Sequence, residues 1–361
     1  MNIIHTIATM NAEDGGTASS TAALLNGLRD AGCRAELLTR TPAEYTFSPL
    51  QISPALRRKI RRAEATIFHT HGLWRDINHY TCAQARKRGI PYIISTHGML
   101  YPEAMQRHSP IKQLLLRMGH RRDLQEAACI IVTSDAEYRH VRRLLPKARI
   151  AEIPLPVAPP DYLSEIRTAE HHHFRVGFLG RFHPIKNIES LIRAWGLLGL
   201  KNAELILIGS GQKSYTDTLR QLIRDVGAAG VSFVGFLEGR NKYAMLQSLD
   251  VLCAPSHQEN FGMSIAEALQ MGTPVLASRR TPWAVLHTRQ CGYWQGNTAT
   301  ELAKGLLKFY RMNPEERRRM GDNGRRLIQE QFAPSVICHS LRQLYLYLLG
   351  KAPQPSFVHE R

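Results

Sequence analysis

The sequence predicts an α/β protein built from two doubly wound, Rossmann-like domains facing a cleft, and three observations carry that expectation. The chain has 361 residues, which at roughly 150 residues per domain suggests two cores. Short apolar runs alternate with helical patterns, and the rhythm restarts once. Between the two stretches, Ile153-Pro-Leu-Pro-Val-Ala-Pro-Pro-Asp161 places four prolines in seven residues, a semi-rigid linker that no helix tolerates.

In the first half, strands are expected at 3–9, 35–38, 66–69, 92–95 and 130–133, with a helical pattern over 17–31. In the second they are expected at 174–179, 205–208, 231–234, 251–254 and 275–277. Strands separated by helices mean a parallel sheet covered on both faces. The expected domains are 1–160 and 161–335, followed by a helix and tail at 336–361. The apolar positions Val336, Leu341, Leu344 and Leu348 suggest a helix that crosses back to the first domain. Doubly wound sheets bind ligands at the carboxyl ends of their strands, so chemistry is sought just after each strand.

Composition is that of an ordinary globular chain, 43% hydrophobic and 21% charged, which excludes disordered and collagen-like classes. No run of about 20 apolar residues exists and Met1 leads into Asn2 without a basic segment, so neither a spanning helix nor a signal peptide is read and a cytoplasmic location is expected. The net charge is +17, with 22 basic against 13 acidic residues in 1–160 and 25 against 17 in 161–361. Both halves favour anionic partners. The six cysteines lie 38 or more residues apart, lack the paired spacing of a zinc or redox site, and read as small buried hydrophobes.

The most informative segment is Glu259-Asn-Phe-Gly-Met-Ser-Ile-Ala-Glu267, directly after the strand at 251–254. Gly262 lets the backbone approach a ligand, Ile265, Ala266 and Leu269 begin a helix, and Gly272 ends it. Such a helix start offers free N–H groups to a phosphate or sugar oxygen, and Glu267 would suit a ribose diol because a carboxylate accepts two hydroxyl hydrogen bonds. The bland alternative is one helix-start acid and one exposed glutamate. A second segment, Gly180-Arg-Phe-His-Pro-Ile-Lys186-Asn187, follows the strand at 174–179. Arg181 and Lys186 there suit a diphosphate, a fork for geometry and a point charge for the departing oxygen; solvated loop charges are the competing reading. Asn187 is expected to cap the helix carrying Leu191, Ile192 and Trp195.

Asp14-Gly15-Gly16-Thr17 is a glycine turn between the first strand and helix, equally consistent with an ordinary turn. His69-Thr-His71-Gly-Leu-Trp74 and Ser95-Thr-His97-Gly both end strands. His69 and His71 fall on one strand face, but no nearby Cys or carboxylate completes a metal set, so no metal is expected.

These motifs together resemble the retaining glycosyltransferases of family 4, which have the GT-B fold, and the resemblance spans nearly the whole chain. It implies that the first domain binds an acceptor and the second a nucleoside-diphosphate sugar. It further implies that Arg181 and Lys186 hold the donor diphosphate, that Glu267 binds the ribose, and that Glu259 and His97 lie beside the donor hexose. Gly15 and Gly16 would approach phosphates and sugar. Gly209 would line the nucleotide end, with Phe261, Gly262 and Met263 in the donor site. Thr281-Pro-Trp283 and Cys291-Gly-Tyr-Trp294 are similar to bacterial members that build exopolysaccharide, capsule or O-antigen, whose acceptors are glycans or lipid-linked sugars. One departure is Thr96, where that subgroup more often has Pro before the histidine.

Gly209-Ser-Gly211-Gln-Lys-Ser214 imitates a dinucleotide fingerprint but has Ser214 where the third glycine belongs. No Asp-x-Asp occurs, so metal-free transfer without a cofactor is expected. The alternative class is a basic, non-catalytic membrane-surface or nucleic-acid binding protein. Its support is Arg57-Arg-Lys-Ile-Arg-Arg62, in which Leu56, Ile60 and Ala63 form an apolar stripe on a cationic helix. No recognition-helix motif or interleaved aromatics accompany it, so no nucleic acid is expected, and an anionic membrane surface is the partner that this cluster suggests, with peripheral attachment.

Overall fold

The computed structural model describes residues 1–10, 16–40, 51–106, 109–166 and 173–360. The chain folds as two compact units, one formed by Met1–Ala158 with Phe332–Arg361 and the other by Pro159–Gln331.

In the first unit the strands are β1 (Asn2–Ile7), β2 (Arg34–Thr39), β3 (Ile67–His71), β4 (Tyr92–Ser95), β5 (Cys129–Val132) and β6 (Ile150–Glu152). In the second they are β7 (Phe174–Leu179), β8 (Ala203–Ile208), β9 (Val231–Gly235), β10 (Val251–Ala254), β11 (Val275–Ser278) and β12 (Gly292–Gln295). A two-residue strand, β13 (Val358–His359), returns to the first unit. The first sheet runs β13-β6-β5-β4-β3-β1-β2 and the second β12-β11-β10-β7-β8-β9. Every pairing is parallel except β13, which lies antiparallel to β6.

The two predicted parallel-sheet α/β domains are therefore present, and their physical basis is plain. The runs Ile-Ile-His-Thr-Ile and Cys-Ile-Ile-Val are buried at nearly every position, as parallel strands covered on both faces must be. Helices cover them through their apolar stripes, such as Ile188–Leu198, where Leu191, Ile192 and Trp195 are buried as expected. Ala299–Arg311 begins with a capping box in which Thr298 and Glu301 satisfy each other's backbone amides.

The C-terminal helix, Pro334–Leu348, packs in the first unit's core through Ile337, Cys338, Leu341, Leu344 and Tyr345. The buried stripe is thus rotated from the expected one, and Val336 is 38% exposed. Among the described residues no helix is long and apolar enough to cross a membrane.

Each sheet has one place where the strand order reverses: between β3 and β1 in the first, between β10 and β7 in the second. Loops leaving adjacent strands there diverge to opposite faces and leave a crevice at the strands' carboxyl ends. The loops after β7 and β10 carry the Arg181–Lys186 and Glu259–Gly262 segments. β3 ends at His71, and the loop after it carries Gly72 to Trp74.

Candidate functional site

In the second unit the sheet reversal brings Lys186 to Glu259, 73 residues apart in sequence. The Lys186 ammonium contacts Glu259 Oε1, which also accepts a hydrogen bond of 2.9 Å from Ser256 Oγ. Both side chains are mostly shielded, 21% and 12% exposed, so water screens this pair less than a surface one. Arg181 is exposed at the start of the same loop. Glu267 lies on the helix Met263–Gln270 and is buried. Its partner is Lys242, at 2.7 Å, from the helix Gly239–Gln247. Burial alone would lower the Lys242 ammonium, but Glu267 and Tyr243 together outweigh it and hold the lysine above its ordinary value. Nothing in the sequence singled out Lys242, one of two basic residues in a short helix.

Glycine is needed at two points. A Cβ at Gly209 would lie 1.9 Å from the Gly180 carbonyl oxygen, because the loops after β7 and β8 touch there; Phe182 N donates to Ser210 O at 2.7 Å. Gly262 sits at φ +85° as the residue before the helix Met263–Gln270 and supplies no side-chain cap, leaving the first amides open to a ligand. Met263 opens the helix and is half-buried. Phe261 is buried: its ring packs 5.5 Å from Trp283 and its carbonyl accepts the Trp283 indole N–H. Asn187 does precede its helix, but at φ +55° and without capping it. Its side-chain amide donates to Pro255 O and Asn297 O, tying the loops after β7, β10 and β12 together.

In the first unit, His97 sits just past β4 at φ +47°, in the left-handed region that is uncommon outside glycine. A buried carboxylate that sequence reading missed holds this turn. Glu137 accepts from Thr96 Oγ1 at 2.7 Å and Gly98 N at 2.6 Å through one oxygen, and from Thr133 N at 2.8 Å and Thr133 Oγ1 at 3.1 Å through the other. Thr96, the departure from the family pattern, is thus a ligand of that clamp. Burial raises Glu137 above the ordinary carboxyl value despite these donors. Gly16 opens the helix Gly16–Asp30; Gly15 lies outside the described residues.

Register adds a histidine that the motifs did not reveal. β1 pairs with β3 so that His5 lies opposite His69 and Ile7 opposite His71. His5 Nδ1 is 3.0 Å from His71 Nε2, and His71 Nδ1 is 3.2 Å from His97 Nε2. His69 instead bonds Tyr345 OH and Ser95 Oγ, both at 2.8 Å. The donor nitrogens of His5, His69 and His71 lie within 4.8 Å of one another, the one group of metal-ligand type among the described residues. His69 uses both ring nitrogens on Tyr345 and Ser95, however, and the facing nitrogens of His5 and His71 meet each other at 3.0 Å, so these contacts engage the atoms that a metal would need. His69, His71 and His97 line a cavity of about 20 Å³ with Ser20, Thr21 and Thr133, room for roughly one water-sized group.

The Arg57–Arg62 helix differs from its expected role. Leu56 and Ile60 are buried in the first unit's core, and Arg57 Nε donates to Asp76 at 2.9 Å. Its apolar stripe therefore faces inward and cannot enter a bilayer.

Two parallel-sheet units, each with polar and charged loops at its strand-order reversal, define a class that known proteins share. Residues 26–156 match the family model described as glycosyl transferase 4-like domain, and residues 164–327 that described as glycosyl transferases group 1. The chain is 23% identical over 264 residues to the uncharacterised glycosyltransferase YqgM of Bacillus subtilis, covering 72% of each protein. Sucrose-phosphate synthase from Thermosynechococcus elongatus superposes with a TM-score of 0.76 at 21% identity, over 98% of this chain and 100% of that one. HepE from Anabaena, in complex with UDP and glucose, superposes with a TM-score of 0.72 at 18% identity, over 95% and 99%. The family matches and the fold together support a glycosyltransferase of the GT-B fold.

Proposed function

We propose that the chain is a retaining, metal-independent hexosyltransferase of family 4. It moves a sugar from a nucleoside-diphosphate sugar to a glycan or lipid-linked oligosaccharide during synthesis of a surface polysaccharide, either lipopolysaccharide or exopolysaccharide. The observation that carries this reading is the pair of ammonium–carboxylate contacts, Lys186 with Glu259 and Lys242 with Glu267, in one unit. A nucleotide sugar offers new partners to both halves of each pair, since phosphate oxygens suit lysine and hydroxyls suit glutamate. HepE, crystallised with UDP and glucose, is a neighbour in keeping with such a donor.

In this reading the second unit binds the donor and the first the acceptor. Arg181 and Lys186 hold the diphosphate, Glu267 the ribose, and Glu259 and His97 the hexose. Backbone at Gly209, Phe261, Gly262 and Met263 lines the donor, and Gly15 and Gly16 approach it. The bond from C1 to the diphosphate breaks, the acceptor oxygen bonds C1 from the same face, and the acceptor proton passes to the departing phosphate oxygen. Fixed charge from Arg181 and Lys186 stabilises the developing negative charge. Screening nucleotide sugars for a rise in melting temperature tests the donor class, because a ligand that binds only the folded state stabilises it. UDP- or GDP-sugars should raise it, and a flat response to the whole panel would refute the reading.

A lipid-linked acceptor is favoured by one surface. Ile111, Leu114 and Met118 are 52%, 56% and 65% exposed, at helical spacing, with Arg117 and Arg121 also exposed on that segment. Apolar side chains among cations suit an anionic bilayer surface. Leu114→Glu with Met118→Glu should abolish binding to anionic liposomes at low salt, whereas reversing charge at Arg58 and Arg61 should reduce it much less. A wild-type protein that ignores such liposomes would rule the surface out.

A further inference from the structure

On the face of the first sheet that meets the C-terminal helix, apolar residues give way to polar ones along the strands. Ile3, Ile67, Ile93 and Ile131 are buried in that core; two positions further on, the same face carries His5, His69, Ser95 and Thr133, and then His71. His69 has a partner on each ring nitrogen. His5, His71 and His97 form a separate series, with nitrogen contacts of 3.0 Å and 3.2 Å.

A neutral imidazole has one N–H and one lone pair. Burial lowers all three histidines, His5 to about 3 and His97 to about 4, so the series is neutral at pH 7. Two such contacts in line allow only two proton arrangements, every N–H pointing from His5 toward His97 or every one pointing back. Any other would set two N–H groups or two lone pairs against each other.

The ends decide between them. His5 Nε2 and His97 Nδ1 are both buried without a partner among the described residues. Pointing from His5 leaves a bare lone pair at His5 Nε2 and an N–H at His97 Nδ1; pointing back leaves an N–H stranded at His5. Each arrangement strands one N–H and one lone pair, so the surroundings decide: His97 lines the small cavity, where a water-sized oxygen can accept an N–H, and His5 does not, while the positive charge of Arg29 acts on His5 and favours the lone pair there. We propose that His5 and His71 are positioning residues that hold His97 as its Nδ1–H tautomer, so that it offers a ligand oxygen a fixed hydrogen-bond donor. That the oxygen belongs to the donor sugar rests on the function proposed above; the tautomer does not. His97 then acts as a neutral donor and takes no proton from the acceptor.

The test is a long-range proton–nitrogen correlation spectrum of protein labelled with 15N-histidine at pH 7, with His97 assigned through His97→Gln. The expected spectrum shows His97 neutral and protonated at Nδ1, unchanged in His5→Asn, whose amide replaces the donor that His71 needs. In His5→Leu the two tautomers of His97 should mix and KM for the donor rise about tenfold, the scale of one lost hydrogen bond, with kcat changed less. Protonation of His97 at Nε2 in the wild type overturns the proposal, whether or not His5→Leu folds. So does stoichiometric zinc uptake that shifts the His5 and His71 nitrogens. If the Nδ1–H tautomer is found but His97→Gln turns over donor normally, the relay stands and the placement of His97 at the sugar falls.

Discussion

The two units build polar sites in opposite ways. In the first, the strand-end groups are kept neutral: four histidines, three of them fully enclosed, exchange hydrogen bonds with one another, with Ser95 and with Tyr345. In the second, they are kept charged and paired, Lys186 with Glu259 and Lys242 with Glu267. The difference teaches what each can recognise. Neutral donors and acceptors suit hydroxyls and cost little to bury once satisfied. Ammonium groups held by carboxylates suit a ligand that carries anionic oxygens of its own, and each buried charge keeps a partner until that ligand arrives.

The largest effect that would break this contrast lies in the charged unit. Lys186→Ala should lower kcat by about a hundredfold or more, the scale for losing one preorganised electrostatic group. The loss should exceed any change in KM, because charge on the diphosphate grows toward the transition state. Lys186→Arg should not restore the rate, since a planar fork cannot take the place of a compact ammonium. Steady-state kinetics of both variants check this, and a near-normal Lys186→Ala would remove the lysine from the site.

Acid should separate the units next. The folded values of His5 and His97, about 3 and about 4, lie below the unfolded value near 6.5. The unfolded chain therefore binds more protons, so this stability is present above pH 6.5 and is lost as pH falls through the folded values. At pH 5 an enclosed histidine such as His5 has forfeited up to about 2 kcal/mol. Amide exchange followed by mass spectrometry should show β1, β3 and β4 losing protection between pH 7 and 5 while β7, β10 and β11 change far less. Equal losses in both sheets would contradict the contrast.

A smaller effect sharpens the account of the neutral unit. Glu137→Gln turns one acceptor oxygen into a donor facing donors, which should cost about 1–3 kcal/mol and lower the melting temperature. It should also raise KM for the donor if His97 touches it, because Glu137 holds the Thr96–Gly98 turn.

The architecture was legible because parallel strands buried on both faces read as near-continuous apolar runs: 92–95, 174–179 and 251–254 coincide with β4, β7 and β10. β6 and β13 escaped notice because three and two residues carry no pattern to read, and β12, Gly-Tyr-Trp-Gln, because it is fully buried only at its first residue and forms no apolar run of aliphatic side chains. Within the charged site, Glu259, Glu267, Arg181 and Lys186 stood out by spacing after strands. Lys242 did not, because only the tertiary fold brings its helix to Glu267. His5 looked like one more residue of an apolar strand until register set it opposite His69, and Glu137 resembled any helix-start acid. The Arg57–Arg62 stripe shows the converse failure, since an amphipathic pattern marks a buried face without saying whether lipid or protein buries it.

The most direct test of the central claim, that the charged unit reads a nucleoside diphosphate through separate carboxylates, is calorimetric titration of UDP and GDP into wild type, Glu267→Ala and Glu259→Ala. Loss of the ribose contact should weaken the preferred diphosphate about tenfold or more in Glu267→Ala, the scale of a hydrogen bond to a charged group. Glu259→Ala frees Lys186 for the diphosphate and loses a ligand contact only to the absent sugar, so it should bind at least nearly as tightly as wild type does. Equal losses in the two variants, or no heat from either diphosphate with the wild type, would contradict it.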